Sequence, residues 1–103
     1  MRRLLLLPVA LLATLVVAAS AGADTKTVQI TTAGFTPAST TVTVGDTVTW
    51  VWTGSNQHTV TFADGIGSGS PRSTATFDRF FGSTGTFLYF DSVFGDSAAV
   101  VVR

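Results

Sequence analysis

The sequence contains no cysteine and no glutamate, and its single methionine is Met1. Without cysteine the chain has no disulfide, no thiol for lipid attachment and no thiolate metal ligand. Small exported domains often depend on disulfides, so the stability of this chain must come from packing. Two tryptophans, one tyrosine and eight phenylalanines provide the large apolar side chains for such a core.

A strong charge of either sign is also absent. Over residues 24–103 the sequence has four basic residues and six aspartates, a net charge of −2. A nucleic-acid-binding domain needs a basic surface, so no nucleic-acid partner is expected. The excess of negative charge is too small to indicate a basic partner.

The first 23 residues have the pattern of a secretory signal peptide. Met1-Arg2-Arg3 is a positive start, and Leu4 to Ala19 is almost wholly apolar. The apolar run is shorter than the ~20 residues that a transmembrane anchor needs. We therefore expect export to the periplasm, the cell-envelope exterior or the medium, with no membrane attachment after cleavage.

Two small-x-small sites, Ala19-Ser20-Ala21 and Ala21-Gly22-Ala23, follow the apolar run. Such residues are typical of signal-peptide cleavage sites. Cleavage after Ala23 leaves one small domain over residues 24–103.

Short segments of alternating polar and apolar residues fill the rest of the chain. A period of two is typical of strands with one buried face, and no segment after residue 23 has helical periodicity. Frequent Gly, Ser and Pro turns between such strands indicate a β-sandwich or barrel. The predicted strands are Thr27–Thr31, Thr40–Val44, Thr47–Trp52, His58–Phe62, Ser73–Phe81, Thr86–Phe90 and Ala99–Val102.

The alternation also predicts which side chains are buried. Val28 and Ile30 should face inward, and Arg79 should be a solvated charge on the outer face. The predicted aromatic core consists of Trp50, Trp52, Phe77, Phe87 and Tyr89.

Several motifs resemble those of the cupredoxins. Phe35-x-Pro37, Thr41-Val42-x-Val44-Gly45-Asp46-Thr47-Val48-Thr49-Trp50 and His58-Thr59-Val60 are similar to the first half of a plastocyanin or pseudoazurin. Phe77-x-x-x-Phe81-x-x-x-Gly85-Thr86-Phe87-x-Tyr89-Phe90 is similar to the approach to that family's C-terminal copper loop. The resemblance implies an all-β, cupredoxin-like Greek-key β-sandwich of about seven to eight strands.

The resemblance also implies where a copper ligand would stand. Family members hold copper with two histidines, a cysteine thiolate and usually a methionine. The first histidine falls on His58, the cysteine on Asp91, the second histidine on Phe94 and the methionine at or near Ala98. Three ligands of four are therefore replaced, and a blue copper site depends on the missing thiolate. His58 and Asp91 would make at most a weak, remnant metal site.

Alternatives stay open for three residues at this site. We interpret His58 as a structural histidine bonded to backbone, with a remnant ligand as the alternative. Asp91 either forms a charge-assisted hydrogen bond with His58 or caps its loop by accepting backbone N–H groups. We interpret Phe94 as a plug, with an exposed ring that contacts a partner as the alternative.

Enzymatic activity finds little support in the sequence. A Ser-His-Asp triad would need His58 as its base, and no serine stands in a nucleophile-elbow motif. The absence of glutamate and of paired carboxylates disfavours glycoside cleavage. We therefore predict that the protein is not an enzyme.

Three functions remain for a degenerate type 1 copper site. The first is a metal-free protein with a binding or structural role, in which an unknown protein partner has a place. The second is a copper protein that still binds Cu(II) or Zn(II) through His58 and nearby loop groups. The third is a metal-free version of an electron-transfer cupredoxin. We expect a monomer with no cofactor, or with copper if the ancestral site is retained.

Overall fold

The computed structural model describes residues 22–103, and this part of the chain is all β, with eight strands. It contains no helix that is long and apolar enough to cross a membrane. The predicted signal peptide lies outside the described residues except for Gly22 and Ala23. The prediction of an all-β sandwich is confirmed.

The strands form two four-stranded sheets. The first sheet has the order β2-β1-β4-β6, and the second has the order β3-β8-β7-β5. Each sheet contains one parallel pair, β1 with β4 and β3 with β8, and its other pairs are antiparallel. The strands are β1 Thr25–Thr31, β2 Gly34–Thr36, β3 Ser39–Val42, β4 Thr47–Trp52, β5 Thr61–Phe62, β6 Thr76–Phe80, β7 Gly85–Phe90 and β8 Ser97–Val102.

The core lies between the sheets and follows the predicted alternation. Val28 and Ile30 on β1 are buried, as are Trp50 and Trp52 on β4, and Tyr89 on β7 packs edge-on to Trp50. Phe77 and Phe87 are partly buried against this cluster. Period-two patterning places these side chains correctly because successive residues of a strand point to opposite faces.

The predicted strand at His58–Phe62 is shorter in the structure. Only Thr61 and Phe62 belong to β5, and His58 forms an isolated bridge with Arg72. The N–H of Thr59 bonds to the Asp91 carboxylate, and that of Val60 bonds to the Ser68 hydroxyl. Side-chain acceptors therefore replace the ladder at the start of the predicted strand.

The prediction for Arg79 is wrong. Its side chain is only 11% exposed. The guanidinium carbon lies 4.4 Å from the ring centroid of Phe62, 5.0 Å from that of Phe81 and 5.2 Å from that of Phe87. Two nitrogens donate to the Asp64 carboxylate at 3.3 and 2.7 Å. The alternation of side chains along the strand places Arg79 on the same face as Phe77. The aromatic rings and the Asp64 carboxylate stabilise the charge of Arg79 in this partly buried position.

Candidate functional site

His58 and Asp91 approach each other beside the paired strands β5 and β7. His58 lies between β4 of the first sheet and β5 of the second, and Asp91 directly follows β7. The His58 backbone is fixed by two hydrogen bonds with Arg72, and its carbonyl also accepts the Trp52 indole N–H at 3.0 Å. Both functional side chains are almost fully buried, with exposed fractions of 2% and 1%.

A short hydrogen bond joins the two side chains. His58 Nδ1 lies 2.6 Å from Asp91 Oδ2. A carboxylate accepts, so Nδ1 is the ring nitrogen that carries the proton in this pair. His58 Nε2 is buried and has no hydrogen-bond partner within residues 22–103.

The second carboxylate oxygen of Asp91 accepts two backbone N–H groups. Thr59 donates at 3.1 Å and Val93 at 2.9 Å. Burial alone would raise the pKa of Asp91. The hydrogen bonds from Val93, His58 and Thr59 outweigh burial and hold the pKa of this carboxyl below its ordinary value. The two roles left open for Asp91, partner of His58 and cap of its own loop, therefore hold at once.

The loop 91–96 is closed by its own backbone and by hydroxyl groups. Asp91 N donates to Asp96 O, and Gly95 N donates to Asp91 O, both at 2.8 Å. Gly95 has a φ of 83°, which glycine adopts without strain. Ser92 N donates to the Thr59 hydroxyl at 2.8 Å, and the two hydroxyl oxygens lie 3.0 Å apart. The ends of β7 and β5 are therefore tied together beside the His58–Asp91 pair.

Phe94 covers the imidazole from the loop. Its ring centroid lies 4.9 Å from that of His58, and the ring planes are 37° apart. The side chain is nevertheless 55% exposed. Phe94 therefore shields His58 with one face of its ring, as a plug would, but much of the same ring is exposed to solvent.

Ala98 occupies a different environment from the other three positions. It is the second residue of β8, pairs with Tyr89 across the sheet and belongs to the buried core. The sequence prediction began the last strand at Ala99, but β8 begins at Ser97. That Ala98 stands where a family methionine would be stays a prediction.

Comparison with known proteins gives structural similarity without sequence-level matches. No protein-family model and no curated protein matches the chain. A purple cupredoxin from Nitrosopumilus maritimus is 23% identical over 76% of this chain and 99% of its own, with a TM-score of 0.63. A Cu(I) form of an amicyanin variant is 26% identical over 77% of this chain and 82% of its own, with a TM-score of 0.69. The chain has the cupredoxin fold.

A second amicyanin variant, in its reduced state, gives the same result. It is 23% identical over 82% of this chain and 88% of its own, with a TM-score of 0.69. The resemblance predicted from the sequence motifs is therefore confirmed for the fold.

The side chains at the site of this cupredoxin fold do not suit a copper ion. A metal bound at ~2.0–2.2 Å by an imidazole nitrogen and a carboxylate oxygen holds the two atoms roughly 3.3 Å apart at a tetrahedral angle. Here the two atoms touch at 2.6 Å. Phe94 and Ala98 offer no lone pair, and residues 22–103 contain no group of three or more His, Cys, Asp or Glu side chains that could hold a metal.

The pair of His58 and Asp91 also resembles two members of a hydrolytic triad. The third member would be a hydroxyl bonded to Nε2, and none among residues 22–103 is bonded there. Two surface clefts, of about 230 and 330 Å³, are lined by neither His58 nor Asp91. The geometry therefore gives no support to nucleophilic catalysis at this imidazole.

Sequence reasoning missed Thr59 and Ser92. Both hydroxyls support the pair, and each residue directly follows one of the two partners in the sequence. A hydroxyl residue after each member of a suspected pair was a usable signal. What the sequence did not show was that the two segments meet side by side.

Proposed function

We propose that residues 24–103 form an exported cupredoxin-like domain that works without a metal ion and without redox chemistry, in a binding or structural role. The family resemblance puts copper ligands at His58 and Asp91, and these two side chains bond to each other in the structure. Direct bonding between them uses the donor atoms that a metal would need. The His58 Nδ1–Asp91 Oδ2 distance of 2.6 Å is the observation that carries the proposal.

The rest of the site supports the same conclusion. The other Asp91 oxygen is already engaged by two N–H groups, so metal binding would have to break several hydrogen bonds at once. Breaking buried hydrogen bonds to a charged group costs about 1.5–3 kcal/mol each. The lost thiolate would also be needed for the redox behaviour of a blue copper centre.

Metal titration tests the proposal. Cu(II) or Zn(II) added to the purified domain should leave the melting temperature unchanged at high molar excess. A ligand that binds only the folded state must raise the apparent stability, so unchanged melting indicates no site. Calorimetric titration under the same conditions should show no saturable heat.

The competing function is a copper protein that retains the metal through His58 and nearby loop groups. It would raise the melting temperature with a saturable dependence on copper. A His58→Gln variant is the matched control, because binding at the chain terminus or at surface carboxylates survives this substitution. A copper-dependent rise in the wild type that disappears in this variant would refute the metal-free proposal.

We further propose that the domain is a monomer and not an enzyme. Val93 and Phe94 are 46% and 55% exposed and lie side by side on the loop, which offers a small apolar contact for a protein partner. Light scattering after size-exclusion chromatography should give the mass of one chain. A concentration-dependent mass of two chains would contradict the monomer.

A further inference from the structure

A second buried carboxylate lies at the opposite end of β4 from His58. Asp46 immediately precedes β4 and is 2% exposed. Its Oδ2 accepts the N–H of Thr43 at 2.8 Å, and its Oδ1 accepts the N–H of Asp24 at 2.9 Å. The hydrogen bonds from Thr43 and Asp24 hold the pKa of Asp46 below its ordinary value, although burial opposes them.

This carboxylate has no cationic partner within residues 22–103. The ion pairs in this range are those of His58 with Asp91 and of Arg79 with Asp64. A buried Asp is rarely left without a partner of opposite charge. The charge of Lys26 helps to lower the pKa of Asp46 by electrostatic attraction, but the two side chains form no salt bridge.

Ala23, directly before Asp24, is exposed and in a strained conformation. Its φ is 74°, in the left-handed region that a residue with a Cβ rarely adopts. Its side chain is exposed, and its N–H bonds to Gly45 O at 3.0 Å. Of the two described residues before Asp24, Gly22 has no side chain and Ala23 contributes none to the core.

We infer that the chain is cut between Ala23 and Asp24, and that the new α-ammonium group of Asp24 forms the missing ion pair with Asp46. Water hydrolyses the peptide bond, so that Ala23 leaves with a carboxylate and Asp24 keeps the nitrogen as an amine, which is protonated at neutral pH. The nitrogen that now donates one N–H to Asp46 becomes a cation with three N–H donors at the same place. The peptidase is of the class that recognises small residues, here Ala21 and Ala23.

The alternative cut after Ala21 would not give this result. It leaves Gly22 and Ala23 in the mature chain and moves the amine two residues, up to ~7 Å of extended chain, away from Asp24. The amide of Asp24 would then remain the neutral donor to Asp46. The geometry therefore distinguishes two cleavage sites that the sequence pattern leaves equivalent.

Only the cleavage after Ala23 rests on the proposed export, and the ion pair with Asp46 does not. Intact mass of the chain recovered after export tests that part, and the expected mass begins at Asp24. A mature chain that begins at Gly22, or a chain that is not cut, would overturn the assigned site.

The ion pair is tested without export. All eight strands lie within Thr25–Val102, so residues 24–103 contain the whole sandwich. This part, released from a removable N-terminal fusion so that it starts at Asp24, is compared with the same part that keeps Ala23. Both have the same charge, but the second displaces the amine by one residue.

The expected readout is the titration of the α-amino group, followed by NMR. An α-amino group ordinarily has a pKa of about 7.7–8.0. Beside Asp46 it should titrate at least about one unit higher, a tenfold change in proton affinity. The charged groups to consider are Asp46, which accepts the hydrogen bond of this nitrogen, the side chain of Asp24 itself, Lys26, whose charge acts on Asp46, and Arg103, whose backbone bonds to Val44. The shift should vanish when Ala23 is kept and in Asp46→Asn.

Stability should follow the same titration. The pKa of the amine is raised in the folded state, so its contribution is present below about pH 7.7 and is lost as pH rises through the folded pKa. The melting temperature of the chain that starts at Asp24 should therefore fall more between about pH 8 and about pH 10 than that of the chain that keeps Ala23. Equal curves together with an ordinary α-amino pKa would overturn the ion pair.

Discussion

At the scale of single residues, Asp91 has the widest set of contacts at the site. One carboxylate joins the imidazole of His58, the backbone of Thr59 and the start of its own loop at Val93. An acceptor-only side chain at this position satisfies two buried donors, on His58 and Thr59, and the part-buried N–H of Val93. Asp91 therefore acts as a hydrogen-bonding centre for the start of its loop and for His58.

Asp91→Ala should destabilise the domain strongly. Three donors would lose their acceptor, and we expect a loss of roughly 2–4 kcal/mol in the free energy of unfolding. Urea unfolding at pH 7 measures it. Asp96→Ala is the matched control, because it removes a carboxylate from the same loop whose side chain makes no hydrogen bond within residues 22–103; a similar loss in both variants would contradict the role of Asp91.

The stability of the domain at acid pH should depend on the carboxylate of Asp91. The pKa of Asp91 is lower in the folded protein than the reference value of 3.8. The ionised carboxylate therefore stabilises the fold above that pH, and this stabilisation is lost as the pH falls through the folded pKa. The free energy of unfolding of the wild type should decline below about pH 4. In Asp91→Asn the decline should be smaller; Asp46 and Asp64, whose pKa values are also lowered, keep part of it. Parallel curves for the two proteins would argue against the lowered pKa of Asp91.

At the scale of elements, the sandwich is closed at one side by Arg79. The residue lies on β6, an edge strand of the first sheet. It reaches Phe62 at the end of β5, an edge strand of the second sheet, and Asp64 just beyond that strand. The hydrogen bond from Arg79 holds the pKa of the Asp64 carboxyl below its usual range. A planar cation that stacks on rings and binds a carboxylate through two nitrogens suits this edge better than a point charge.

Substitution of Arg79 tests this closure. Arg79→Lys should lose much of the stacking and the two-nitrogen contact, and Arg79→Ala should cost about 1–3 kcal/mol of unfolding free energy. The control is Arg72→Ala, because the Arg72 side chain is exposed and its backbone makes the bridge to His58. Arg72→Ala should stay within about 0.5 kcal/mol. Equal effects of the two alanine substitutions would rule out a specific role for Arg79.

At the scale of the whole molecule, the cupredoxin fold is retained while the ligand set is not. The core between the sheets contains the buried residues Trp50 and Tyr89, and the loop 91–96 is held by hydrogen bonds that need no metal. Packing and coordination are therefore separable in this scaffold. A restored ligand set should then be able to bind copper.

Asp91→Cys, Phe94→His and Ala98→Met together supply such a set with His58. Two histidines, a thiolate and a weak axial thioether are the donors of a blue copper site, so Cu(II) should produce an intense visible absorption. Because Ala98 is in the core, methionine there should cost about 1–3 kcal/mol through overpacking. The double variant without Ala98→Met is therefore measured beside it, and the variant without Asp91→Cys should stay colourless. Folded but colourless protein in both thiolate-containing variants would show that His58, Asp91 and Phe94 do not surround one site.

Much of the fold could be predicted from the sequence. The alternation in Thr47–Trp52 placed Val48, Trp50 and Trp52 inward, because the geometry of a strand is local and its period is fixed. The ends of strands were less predictable: His58 and Thr59 look like strand residues, but a carboxylate 32 residues from Thr59 takes the Thr59 N–H. The environment of Arg79 was missed because three aromatic rings from separate segments create it.

The sequence by itself determined the absence of thiolate chemistry, the all-β character and the short list of residues at the altered site. Those properties depend on composition and on local periodicity, which the chain carries without folding. Only the tertiary structure decided that His58 and Asp91 bond directly and that Phe94 shields His58 while its own ring stays exposed. It also decided that Asp46 is buried with no cationic partner among residues 22–103. Contacts between residues more than 20 positions apart are set by strand pairing and by the packing of the two sheets, and no local sequence pattern encodes such a distance.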